Sequence, residues 1–168
     1  MQKLKKAILF LEDGLFFVGK SLGSQGETNG EVCFNTGMTG YQEILTDPSY
    51  ADQMIVMSSP HIGNYGTNNE DTESQKIYAT GFIIKNDSLE PSNWRSEQPL
   101  TSFLLKHNIV GIQDIDTRAL TIHIRKKGSM RGIISTEDFD NNSLAEKIGN
   151  IPNMEGQDLA IKVARKEK

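Results

Sequence analysis

Cysteine is all but missing: the 168 residues hold one, Cys33. A lone thiol closes no internal disulfide, so packing has to hold the fold, and a reducing compartment is indicated. Long apolar runs are missing as well. Ala7 to Leu11 follows Lys3, Lys5 and Lys6 in the manner of a secretory leader, but it is too short for one and ends at Glu12-Asp13-Gly14. Nothing approaches the ~20 apolar residues of a membrane span. The Asn-x-Ser sequons at Asn86 and Asn142 are therefore read as incidental, and the expectation is a soluble cytoplasmic protein. An excess of positive charge is also lacking. Lys and Arg number 18 against 22 Asp and Glu, a net charge of −4. Neither a phosphate backbone nor an anionic membrane attracts such a surface, so no nucleic-acid or membrane partner is expected. Repeats and low-complexity stretches are absent. With 36% hydrophobic and 24% charged residues the composition is ordinary for one globular domain.

What is present alternates in pattern. Ala7–Leu11 and Leu15–Val18 are apolar runs joined by Glu12-Asp13-Gly14, and Asp-Gly between two such runs predicts an early β-hairpin. After the glycines at 23, 26 and 30, Glu31–Asn35 reads as a third strand. Thr39 with Gln42 three residues later fits a capping box opening a short helix, with Tyr41, Ile44 and Leu45 as its apolar face and Asp47-Pro48 as its stop. Met54–Met57 is a strand, His61–Asn68 a loop by composition, and Tyr78–Ile84 a strand. Then come a helix over Thr101–His107, a strand over Ile109–Ile112 and a helix over Thr117–Lys127. The last has Asp116 as its N-cap, basic residues in its final turn and Gly128 beyond. Arg131–Ser135 is a strand and Leu144–Ile148 a last helical piece. The pattern is that of a mixed α/β domain with more than one layer.

Candidate chemistry is sparse. Gly14-Leu15-Phe16-Phe17-Val18-Gly19-Lys20-Ser21 satisfies the spacing of a phosphate-binding P-loop. Its four middle residues favour a strand, and the stretch after Ser21 is too rich in glycine for the helix a P-loop requires. A hairpin strand is the better reading. His61, His107 and His123 show no metal-ligand spacing. His107 suits a helix end, and His123 reads as packed or solvated. Cys33 lies in an apolar strand and reads as a buried structural thiol rather than half of a Cys-His dyad. Asp114 and Asp116 could bind a metal as a pair, but helix capping accounts for Asp116 more simply. No catalytic residue, metal site or cofactor site is expected in this chain.

Several longer strings carry a resemblance. Gly30 to Tyr50 (GEVCFNTGMTGYQEILTDPSY), Pro60 to Gly66 (PHIGNYG), Ala79-Thr80-Gly81, His107 to Ile112 (HNIVGI) and Asp114 to Thr121 (DIDTRALT) closely resemble the N-terminal domain of the small subunit of glutamine-dependent carbamoyl-phosphate synthases. The similarity ends near Gly156-Gln157-Asp158-Leu159-Ala160. The resemblance implies a three-layer swivelling β/β/α domain over residues 1–152 and, over 153–168, a linker towards a glutaminase domain. It implies a subunit that hydrolyses glutamine and passes ammonia to a large subunit. There bicarbonate and ATP complete carbamoyl phosphate for arginine and pyrimidine synthesis. The partners implied are that large subunit and, through the second domain, L-glutamine. One substrate contact carries over: Ser49, which in the family reaches across to the glutamine site. The family's nucleophilic Cys elbow has no match before Lys168, and Cys33 does not stand in for it. The chain alone is therefore expected to be inactive. It is either a fragment of the subunit or a truncated docking or scaffold protein.

Overall fold

A computed structural model describes residues 5–151 apart from Gln75 and Leu89. The linker expected over 153–168, and the end of the resemblance near Gly156, lie outside the described residues.

Seven strands close into a barrel: β1 (Lys6–Leu11), β2 (Phe16–Gly23), β3 (Glu27–Asn35), β4 (Gln53–Met57), β6 (Gly81–Ile83), β8 (Val110–Gln113) and β9 (Met130–Ser135). Their order round the barrel is β1-β2-β8-β6-β4-β3-β9, and β9 pairs back onto β1. The run β3, β4, β6, β8 is parallel. The pairs β1–β2, β2–β8, β3–β9 and β9–β1 are antiparallel. Between β4 and β8 the short strands β5 (His61–Ile62) and β7 (Asn86–Asp87) form a separate two-stranded pair, where a loop was expected around residue 61. The helices are α1 (Tyr41–Thr46), α2 (Leu100–Lys106), α3 (Thr117–Lys127) and α4 (Asn141–Gly149), with a 3-10 turn at Pro48–Tyr50. The mixed α/β reading is borne out.

Strand residues alternate sides, and here both sides are covered, which is why β1 and β4 read as continuous apolar runs. Ala7, Leu9, Leu11, Val32, Met54, Val56, Ile83, Val110, Ile112 and Ile134 fill one cluster, joined by Leu120 and Ile124 of α3. On the opposite face, Ile55, Met57, Phe82 and Ile84 meet Tyr41 and Leu45 of α1 and Leu100, Phe103 and Leu104 of α2. Ile8, Phe10 and Ile133 meet Leu144 and Ile148 of α4. Each fully buried aliphatic side chain contributes about 1.5–3 kcal/mol relative to exposure.

The early hairpin forms, with Phe10 opposite Phe16. Its turn differs from a two-residue Asp-Gly loop with both positions left-handed. Leu11 N–H donates to Leu15 O, Gly14 N–H donates to Leu11 O, and only Gly14 has positive φ, at 87°. That is a three-residue loop ending in a left-handed glycine. The P-loop look-alike runs from this turn into β2. Lys20 pairs with Asp114 at 2.8 Å, Ser21 N–H donates to Lys5 O, and Gly19 lies where a Cβ would stand 2.2 Å from Gln113 O. No loop is left there to wrap a phosphate. Strands β2 and β3 are longer than expected, because the glycines at 23 and 30 sit inside them rather than in a connection.

Candidate functional site

The crossover from β3 to β4 carries Ser49. Asp47, held extended before Pro48, is the N-cap of the 3-10 turn, and its Oδ1 accepts from Ser49 N–H at 2.8 Å. Tyr50 N–H and Ala51 N–H close the turn onto Asp47 O and Pro48 O. The Tyr50 hydroxyl accepts from Asn35 Nδ2 at 3.1 Å, tying the turn to the end of β3. Ser49 itself is exposed, and among the described residues its hydroxyl makes no hydrogen bond. A rigid turn thus presents an uncommitted donor and acceptor to the outside.

The helix before that turn is fixed by a feature the sequence reading missed. The expected Thr39–Gln42 capping box does not form, and α1 has no side-chain cap at its own N-terminus. Instead Tyr65 Oη accepts from Gly40 N–H at 2.5 Å and from Tyr41 N–H at 3.2 Å. Tyr41 stacks on Tyr65, ring centroids 4.3 Å apart, and donates its hydroxyl to Gly66 O at 2.6 Å. Burial pushes both phenols above their ordinary range, which keeps them protonated. Gln42, 1% exposed, donates to Asn68 O and accepts from Asn68 N–H. The signal in the sequence was Tyr65 among Gly63, Asn64 and Gly66, an aromatic in a stretch that reads as loop.

The other candidates are scattered. Cys33 is partly buried, and its Sγ lies 3.3 Å from Gln53 Oε1. Burial, reinforced by nearby Glu31, pushes its thiol up to about 12. His61 is exposed. His107 is the C-cap of α2, at a helix end as expected, against Phe103, and burial, with the nearby charge of Lys106, lowers its pKa. His123 pairs with Asp13 at 2.7 Å. Asp116 Oδ1 caps α3 at Ala119 N–H as expected, while Asp114 turns to Lys20. Among the described residues no group of three metal-ligating side chains comes together.

A second surface feature surrounds Trp94, which is 92% exposed. Its loop is anchored on the loop that carries Tyr65. Ser92 N–H donates to Asn64 O, Glu97 N–H to Thr67 O and Thr67 N–H to Gln98 O, at 2.8–2.9 Å. Arg95 bridges Glu70 and Asp71 at 3.1 and 2.8 Å, and Asn69 donates to Glu97. An open cavity of about 320 Å³ lies between Asn68, Glu70, Trp94, Arg95, Ser96 and Glu97.

Comparison with known proteins adds a family. The profile of the carbamoyl-phosphate synthase small chain, CPSase domain, matches residues 9–134. The carbamoyl phosphate synthase small chain of Lawsonia intracellularis is 57% identical over 159 residues, covering 95% of this chain and 42% of that protein. That of Thermotoga maritima is 55% identical over 163 residues, 97% of this chain and 42% of its own length. That of Aquifex aeolicus is 52% identical, with coverage of 97% and 44%. The chain spans less than half the length of these relatives.

Proposed function

Since the chain belongs to the carbamoyl-phosphate synthase small-chain family, whose CPSase domain it carries, we propose that it acts as the N-terminal part of the ammonia-supplying subunit. In this reading the complete subunit hydrolyses glutamine, and the ammonia passes to a large subunit. Bicarbonate, ammonia and ATP become carbamoyl phosphate there, in the cytoplasm, for arginine and pyrimidine synthesis. ATP belongs to the large subunit, and this domain needs no cofactor. Its part is to dock the large subunit and to complete the glutamine site. By itself it is expected to be inactive, because burial pushes its one thiol up to about 12 and leaves it a poor nucleophile at neutral pH. We read the domain as a three-layer swivelling β/β/α unit, and the packing of α1 and α2 against the outer faces of β4 and β6 supports that.

One observation carries the site reading: the exposed Ser49 hydroxyl, held on a turn capped by Asp47, with no internal hydrogen bond among the described residues. Such a group is pre-positioned to bond the amino-acid end of glutamine bound in a neighbouring domain. One hydrogen bond of about 0.5–1.5 kcal/mol corresponds to a change of roughly two- to twelvefold in affinity. In the complete subunit assembled with its large subunit, Ser49→Ala should raise the KM for glutamine by that factor. Synthesis from added ammonia should be unchanged, because that route bypasses the glutamine site. An unaltered KM would return Ser49 to a plain turn residue, and an equal loss of the ammonia-dependent rate would assign it to docking.

A further inference from the structure

We propose that the Trp94 loop is a docking socket for an arginine- or lysine-bearing segment of a partner protein. The chain has a single tryptophan, and it is 92% exposed, so the indole adds almost nothing to the core. The loop that carries it is nevertheless well built. Hydrogen bonds to Asn64 and Thr67 fix both its ends, and Asn93 Oδ1 accepts from Arg95 N–H inside it. A large, pre-positioned aromatic at a protein surface is the usual anchor of an interface, because it offers contact area at little cost in side-chain freedom.

The surroundings select the occupant. Two carboxylates, Glu70 and Glu97, line the cavity with one guanidinium, Arg95, and Arg95 is paired with a third carboxylate, Asp71, that lies outside the lining. Arg95 is satisfied by Glu70 and Asp71, and the Glu70 side chain is still 81% exposed. An indole face attracts a cation through its quadrupole, and adjacent carboxylates add to that attraction. A phosphate backbone or an acidic lipid would meet like charge. A cavity of about 320 Å³ takes one or two side chains rather than a whole helix. The bridge from Arg95 to Glu70 and Asp71 is an internal example of the pairing a partner's guanidinium would make. The socket depends on neither Ser49 nor glutamine.

The test uses the intact chain and its one tryptophan as reporter, titrated with a tetra-arginine peptide and, as a neutral control, a tetra-glutamine peptide. Tetra-arginine should give a saturable change in indole emission that weakens with salt, and tetra-glutamine should give none. Measured by calorimetry, Trp94→Ala should weaken tetra-arginine binding by about two- to thirtyfold. Trp94→Phe should fall between, and Glu70→Gln combined with Glu97→Gln should also weaken it. The melting temperature of Trp94→Ala should match that of the parent, which separates loss of the socket from loss of the fold. Equal binding of tetra-arginine by Trp94→Ala would mean a diffuse acidic surface and overturn the proposal. So would equal response to tetra-glutamine, or tighter binding of a poly-uridine RNA than of the basic peptide.

Discussion

Burial controls the chemistry of Cys33. Its thiol is pushed up to about 12, first by desolvation and then by the charge of Glu31. An unperturbed cysteine titrates near 8.5, so at pH 8 the unfolded chain holds an appreciable thiolate fraction and the native protein almost none. A disulfide reagent should therefore label Cys33 at least about a hundredfold more slowly in the native state than in urea. Comparable rates in the two states would mean that the thiol opens to solvent. This residue was legible in the sequence because its neighbours Val32 and Phe34 mark an apolar strand. Trp94 was not. A lone aromatic among Ser92, Asn93, Arg95 and Ser96 has no periodicity to read, and its 92% exposure is visible only in the fold.

Helix α1 is six residues long, too short to persist without outside support. That support is the Tyr65 hydroxyl, which satisfies two N–H groups at its start. Tyr65→Phe keeps the ring stack but removes that acceptor, and should cost about 1–2 kcal/mol in urea unfolding. Thr39→Ala should change stability by a few tenths at most, since Thr39 caps nothing; a larger loss there would restore the capping-box reading. The contrast shows where sequence patterns stop. Asp116 and Gly128 bound α3 in the structure as they do in the sequence, because cap and helix are adjacent in the chain. The hairpin β1–β2 was legible for the same reason. The cap of α1 comes from 25 residues downstream. The β5–β7 pair joins strands with no hydrophobic signature of their own, and the glycines inside β2 and β3 imitate a connection. Local rules cannot report partners that only the closed fold brings together. Ser49 is legible from the resemblance and from turn chemistry, and its exposure follows from the Asp47-Pro48 stop.

At the scale of the whole molecule, α4 is fastened to the barrel through Lys147, which bonds both carboxylate oxygens of Glu27 on β3 and also Asp138. The lysine hydrogen bond, with further bonds from Ser143 and Asp140 N–H, holds the Asp138 carboxyl well below its ordinary range. With the folded pKa lowered, the unfolded chain binds more protons below the ordinary value of 3.8. The contribution of Asp138 is thus complete above that pH and is lost as pH falls towards the folded pKa. The melting temperature should drop on acidification through this window, and Asp138→Asn should flatten the drop. An identical pH profile in the variant would deny Asp138 that role. Closure of the barrel has a consequence in time. Strand β9 lies between β1 and β3, with Ser135 opposite both Ile8 and Glu27. At about 5–20 residues per second, a ribosome takes roughly 5–20 s to go from the end of β3 to the end of β9. Throughout that interval β1 and β3 each present an open edge of unpaired N–H and C=O groups, a template for another chain. The nascent protein is therefore most vulnerable to mispairing before Met130 emerges, and β9, the last of the barrel strands in chain order, is the one that ends the exposure.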